Sequence, residues 1–191
     1  MSPAKGSRTP ATEVRANLVA AGRRLLEKQG ATALTVRAVA TEAGVAPMGV
    51  YNHFDGKDGL LNAVVTDGFR ELGARIAAHD ADASTRLLNS GRQYRRFAIA
   101  SPTMYELMFS TECHPDDDVA VGTFEVLVDI IRYGQAAKVI MDGDPHSLAG
   151  QVWSCVHGAV SLELTSSHPP FLDLSDDYEQ LLGLIRRGIA A

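Results

Sequence analysis

Between Gly44 and Lys57 a run of small or weakly polar residues, Ala46-Pro47-Met48-Gly49, is followed closely by Tyr51, Asn52, His53 and Lys57. This set holds no nucleophile paired with a base, and its chemistry is recognition. A phenol, an amide, an imidazole and an ammonium can each bond a phosphate oxygen or a base edge, and small neighbours allow close approach. Thr35 and Arg37 stand just upstream and add a hydroxyl and a fixed cation. The other chemically capable clusters are weaker. Cys113-His114 with Asp116, Asp117 and Asp118 lacks a second Cys/His group at metal spacing, so it reads as an acidic loop between helices and not as a metal site. Cys113 and Cys155 read as free thiols of a reducing compartment. No Gly-x-Ser-x-Gly elbow, phosphate-cradling glycine loop or His-Glu-x-x-His pair is present, which argues against an enzyme, and no cofactor is called for.

Two short helices around a tight turn must present those residues. Thr35 suits the N-cap of the first, which ends at Gly44, and Pro47 suits the first position of the second, which is over by Phe54. Ala40 is small enough for the helices to touch, and Gly44 tolerates the positive φ of the turn. Val39, Ala43, Val45 and Val50 point to the shared core. The second helix has few good helix formers and almost no charge, unlike a purely structural surface helix. These features define a helix-turn-helix.

The remaining elements are helical throughout, with no strand alternation. A first helix spans about Glu13–Gln29, with Thr12 as cap, a Val14, Leu18, Ala21, Leu25 stripe, and Gly30 as stop. A longer one runs from Lys57 to about His79. Further helices are expected over Thr85–Ala100, Pro102–Ser110, Val119–Met141, Pro145–Thr165 and Asp176–Ile189. Ser101 and Asp144 each precede a proline and are expected to cap. The fold class is therefore all-α. Residues 1–11 are expected to form a flexible tail, 12–58 an N-terminal three-helix, homeodomain-like helix-turn-helix DNA-binding domain, and 59–191 a C-terminal helical body.

Charge supports the division. The chain of 191 residues carries −5 overall, yet residues 1–60 hold eight Lys/Arg against five Asp/Glu, a net +3 that leaves −8 for the rest. A basic module on an acidic body suits a polyanion at one end. The composition, 46% hydrophobic and 21% charged, is that of an ordinary globular protein. No apolar run approaches the roughly 18 residues of a membrane span, and Lys5 and Arg8 precede no secretory core, so a cytoplasmic protein is expected.

The segment Gly44-Val45-Ala46-Pro47-Met48-Gly49-Val50-Tyr51-Asn52-His53-Phe54-Asp55-Gly56-Lys57-Asp58-Gly59-Leu60-Leu61 resembles the DNA-binding domain of the TetR family of bacterial regulators. The resemblance covers residues 12–65. It implies that Thr35, Arg37, Tyr51, His53 and Lys57 contact phosphates, while Ala46, Pro47, Met48, Gly49 and Asn52 face the groove. Many members carry Ser or Thr where this chain has Ala46. Further on, Trp153, His157 and Gly158, with Tyr94-Arg95-Arg96-Phe97-Ala98 and Pro102–Phe109, resemble the TetR subgroup named for its Trp-His-Gly motif. That resemblance implies that 59–191 is an effector-binding and dimerisation domain, with a homodimer built on the last two helices and an effector pocket; the absence of a long apolar run implies no membrane partner. Tyr94, Phe97, Met104, Tyr105, Met108, Phe109, Phe124, Met141, Trp153 and His157 are its candidate lining, though such residues at helical spacing also build any core. His157 reads first as a hydrogen-bonded buried histidine. The expected function is a ligand-responsive repressor that binds a palindromic operator as a dimer and is released by a small-molecule effector. An activator of the same fold and a helical protein-interaction module are the alternatives.

Overall fold

The structure, a computed structural model, describes residues 10–166, 169 and 171–191. The proposed tail therefore lies, through residue 9, outside the described residues. Helix α1 spans Ala11–Gln29, α2 Val36–Glu42, α3 Pro47–Tyr51, α4 Gly56–Ile76 and α5 Ala83–Ala100. Helix α6 spans Pro102–Met108, α7 Asp117–Ala136, α8 Pro145–Leu164 and α9 Leu174–Gly188. A single 3-10 turn, Ala31–Ala33, joins α1 to α2. Among the described residues extended pairing is limited to one bridge, Ile140 with Ala190.

Side-chain caps set most helix starts. The Thr35 hydroxyl accepts from the Ala38 N–H at 3.1 Å, and Asp144 accepts from Ser147 at 2.9 Å, both as expected from sequence. Asp82 caps α5 by accepting from Thr85 at 2.7 Å, so the helix begins before Thr85. Asp116 and Asp173 likewise start α7 and α9 earlier than expected. Two expected caps are not made. Thr12 lies inside the first turn of α1, whose N-cap is Pro10, and Ser101 precedes α6 without a side-chain cap bond. Helix α7 stops at Ala136, short of the expected Met141, because Lys138 takes a φ of 58°. The N–H groups of Val139 and Ile140 then bond back to Gly134 O at 3.0 and 3.2 Å, closing the helix end.

Helix α4 organises the rest, packing against α1, α5, α6 and α7. It runs unbroken through the expected division at 58/59, and one contiguous set of buried side chains extends from Leu18 on α1 to Ile189. Reader and body therefore share a helix and a core. At the α1–α4 crossing a Cβ on Gly22 would lie 2.8 Å from Val64 Cγ2, so the close approach needs glycine there. Beside it Arg23 bonds Asp67 at 2.9 Å and also Glu71. Burial disfavours the Glu71 carboxylate, but the guanidinium of Arg23, helped by Arg75, outweighs it and holds its pKa below 4.5. On the body side Thr123 donates to Phe69 O, while Asn62 and Thr66 accept from the backbone N–H groups of His114 and Asp116.

Candidate nucleic-acid interface and core cavity

The local sequence turns α3 outward. Val50 is fully buried and Phe54 nearly so, which fixes the inner face of the helix. At helical spacing the other side then faces water, and Met48 and Tyr51 are 66% and 58% exposed. Ala46, Pro47 and Asn52 are exposed beside them, with Gly49 and His53 half-buried. Two large, unpacked side chains on a five-residue helix have no structural use within the chain. Gly44, at φ 69°, makes the turn, and the Val45 N–H bonds Ala40 O at 2.9 Å across it.

Thr35, Arg37 and Lys57 are all exposed around this helix. Arg37 and Lys57 form no ion pair among the described residues, so their charges remain available. The Thr35 oxygen accepts the cap bond, which leaves its O–H free to donate. Arg15 of α1 adds a cation that local sequence did not single out. Its guanidinium sits 5.1 Å from the Phe54 ring centroid, a contact between residues far apart in the chain. Helix α1 is tied to α2 by Arg24 and Glu42 at 2.7 Å.

Ala46 occupies the N-cap of α3 without a side-chain bond. Replacing it by Ser should add that bond, stabilising the fold by about 1 kcal/mol and raising Tm by about 2–4 °C. Thermal melts of Ala46→Ser beside the parent check this. An unchanged or lower Tm would show that the cap geometry is unavailable.

In the body a cavity of about 380 Å³ lies among α4, α5, α7, α8 and α9. Of the candidate lining residues, Tyr94, Phe109, Phe124 and Trp153 are on its wall. Phe97, Met104, Tyr105, Met108, Met141 and His157 are not. Phe97 is core, 1% exposed. Met104 and Met108 pack over Gly68 of α4, and Met141 lies exposed beyond the end of α7. The wall also uses Phe69 and Leu72 of α4, Ser90 of α5, Leu127 of α7 and Ile185 of α9. Nothing in sequence marks these, since core positions of five separate helices converge only in the fold.

Behind the wall, polar groups close on one another. The Trp153 indole N–H donates to Tyr94 Oη at 3.3 Å, and the Tyr94 and Tyr105 hydroxyls meet His157 Nδ1 at 2.9 and 2.7 Å. Phe109 packs edge-on to the His157 ring at 4.6 Å. Burial pushes the Tyr94 phenol far above its ordinary pKa and pulls His157 below 6.5, so both are neutral at pH 7. Below pH 6.5 the unfolded chain then takes up a proton more readily than the folded one. Stability should fall as pH drops from 6.5 towards the lower folded value. Melts from pH 7.5 to 5.5 should show the decline and His157→Gln should flatten it, whereas Glu71 contributes only below 4.5.

Among the described residues no group of three His, Cys, Asp or Glu side chains is placed to hold a metal. Cys113 is buried, which pushes its thiol pKa up, and Cys155 is exposed. No described helix is long and apolar enough to cross a membrane. On α8, Leu148 and Val152 are buried but Cys155 is exposed, and Gly150 and Gly158 face open space. Leu162 of α8 and Leu184 of α9 are 51% and 59% exposed.

Known proteins share this arrangement. The description "Bacterial regulatory proteins, tetR family" matches residues 18–64, and "Tetracyclin repressor-like, C-terminal domain" matches 87–185, about half of the chain. An uncharacterised HTH-type transcriptional regulator of Mycobacterium tuberculosis is 29% identical over 82% of this chain and 72% of its own length. Another regulator from that organism is 30% identical over 62% of this chain and 55% of its own. A solved protein of unknown function from Rhodococcus superposes at TM-score 0.80, with 25% identity and both chains fully covered. A TetR-family regulator from Pectobacterium atrosepticum shares the fold at TM-score 0.77 and 20% identity, over 97% of this chain and 98% of its own. Both mycobacterial relatives are HTH-type transcriptional regulators by name. The chain belongs to the TetR family and is a DNA-binding transcriptional regulator.

Proposed function

We propose that the protein is a repressor that binds a palindromic operator as a homodimer and leaves it when a small molecule enters the cavity. The observation that carries this reading is the outward face of α3, where exposed Met48, Tyr51 and Asn52 stand between the uncommitted cations Arg37 and Lys57. On this reading Ala46, Pro47, Met48, Gly49 and Asn52 meet base edges, and Thr35, Arg37, Tyr51, His53 and Lys57 hold phosphates. Dimerisation is supported by the open small-residue face of α8 with Leu162 and Leu184. It is also supported by duplex geometry, since two recognition helices about 34–36 Å apart read successive major grooves. Acting on chromosomal DNA, the protein works in the cytoplasm.

Release works through α4. Its N-terminal turn carries Lys57, while Phe69, Leu72 and Ile76 line the cavity. A ligand that binds better to one setting of α4 shifts the spacing of the two readers, by no more than its differential affinity. Titration of fluorescent duplex DNA at several salt concentrations tests the docking claim. Affinity should fall with salt, with a log–log slope of about −0.9 per phosphate neutralised. Absence of salt-dependent binding would favour a protein-interaction module instead.

A further inference from the structure

We infer that the cavity takes an uncharged, mainly hydrocarbon molecule bearing one hydrogen-bonding group, which the Ser90 hydroxyl orients. The inference rests on the reading of this cavity as the effector site and adds the class of effector. No Asp, Glu, Lys, Arg or His is among the lining residues. A charge carried inside would lose its hydration and find no counter-charge.

The polar groups on the wall are, with one exception, already engaged. Thr123 Oγ1 donates within reach of Phe69 O and Val119 O, both at 2.9 Å. Tyr94 Oη takes the Trp153 N–H and turns towards Tyr105 and His157. The exception is Ser90, on α5 one turn before Tyr94. It is only 3% exposed, lines the cavity, and its hydroxyl makes no hydrogen bond among the described residues. Among the described residues no sealed side-chain nitrogen or oxygen lacks a partner, so this unbonded hydroxyl is open to the cavity. A ligand with an apolar body and a single hydroxyl or carbonyl would complete this one. Val121, also on the wall, is 58% exposed, so the cavity reaches the surface at the first turns of α7.

Trp153 is the sole tryptophan of the chain and stands on the wall. It can therefore report occupancy in the full-length protein by energy transfer to the neutral probe N-phenyl-1-naphthylamine. Competitors with one ten-carbon chain and different heads separate the possibilities: 1-decanol, decanoate and decylammonium, at pH 7.5. The probe should bind, and decanol should displace it at least tenfold more effectively than either ion. Ser90→Ala and Ser90→Cys, which remove the hydroxyl at little change in volume, should each weaken decanol about fivefold and leave the probe unaffected. Failure of the probe to bind, equal competition by the charged chains, or unchanged decanol affinity in both variants would each overturn the assignment. Protein that binds decanol yet stays on its operator would support the ligand class and refute the effector role.

Discussion

A chain carrying both Tyr51→Ala and Lys57→Ala should bind its operator about 30- to 700-fold more weakly than the parent. The range follows from four lost phosphate contacts, two in each protomer of the proposed dimer, at a net of about 0.5–1 kcal/mol each. Loss of two lysines should also reduce the salt dependence by about two phosphates' worth of counterion release. Both side chains are exposed, so the melting temperature should be unchanged, and the loss would then belong to the interface and not to the fold. Tyr51→Phe isolates the hydroxyl. Unchanged affinity of the double variant, measured by anisotropy at fixed salt, would remove these residues from the contact set.

The second large effect separates core from wall in the body. Phe97→Ala should destabilise the protein by about 3–5 kcal/mol, because the ring is 1% exposed and its removal leaves a hole that close-packed neighbours cannot fill. For a domain of this size that is a fall in Tm of about 6–20 °C. Phe124, half-buried and already facing the cavity, loses fewer contacts when cut to Ala and should cost clearly less. Probe binding should follow the opposite order, with Phe124→Ala altering affinity and Phe97→Ala, where still folded, retaining it. Equal stability losses would mean that the wall is as tightly packed as the core.

These two variants also mark where sequence was and was not informative. The reader was legible because its determinants are local. Gly44 must make the turn, Thr35 must cap α2, Ala40 must allow the crossing, and all lie within a few residues of what they control. The Asp144 cap was legible for the same reason. The end of α7 was not, since Lys138 adopts a positive φ that sequence rules reserve for Gly or Asn. The cavity was least legible of all. Aromatic and methionine residues attract attention, yet Met104 and Met108 spend their bulk against Gly68, while Ser90, which carries no motif, lies on the wall.

The proposed coupling between cavity and reader would have a physical route. Phe109 lies on the wall and begins the α6–α7 loop, whose His114 and Asp116 N–H groups are held by Asn62 and Thr66 of α4. On the other side of α4, Gly22 against Val64 and Arg23 with Asp67 and Glu71 seat α1 of the reader. Displacement of α4 therefore moves a packed unit, as expected of interfaces with two discrete arrangements.

The central claim, a paired reader of DNA, is tested most directly by selecting bound duplexes from a random-sequence pool with the full-length protein. The account predicts enrichment of an inverted repeat whose half-sites are separated, centre to centre, by about 10–10.5 base pairs or a multiple of it. Enrichment of no sequence, or of a single unpaired half-site, would contradict it.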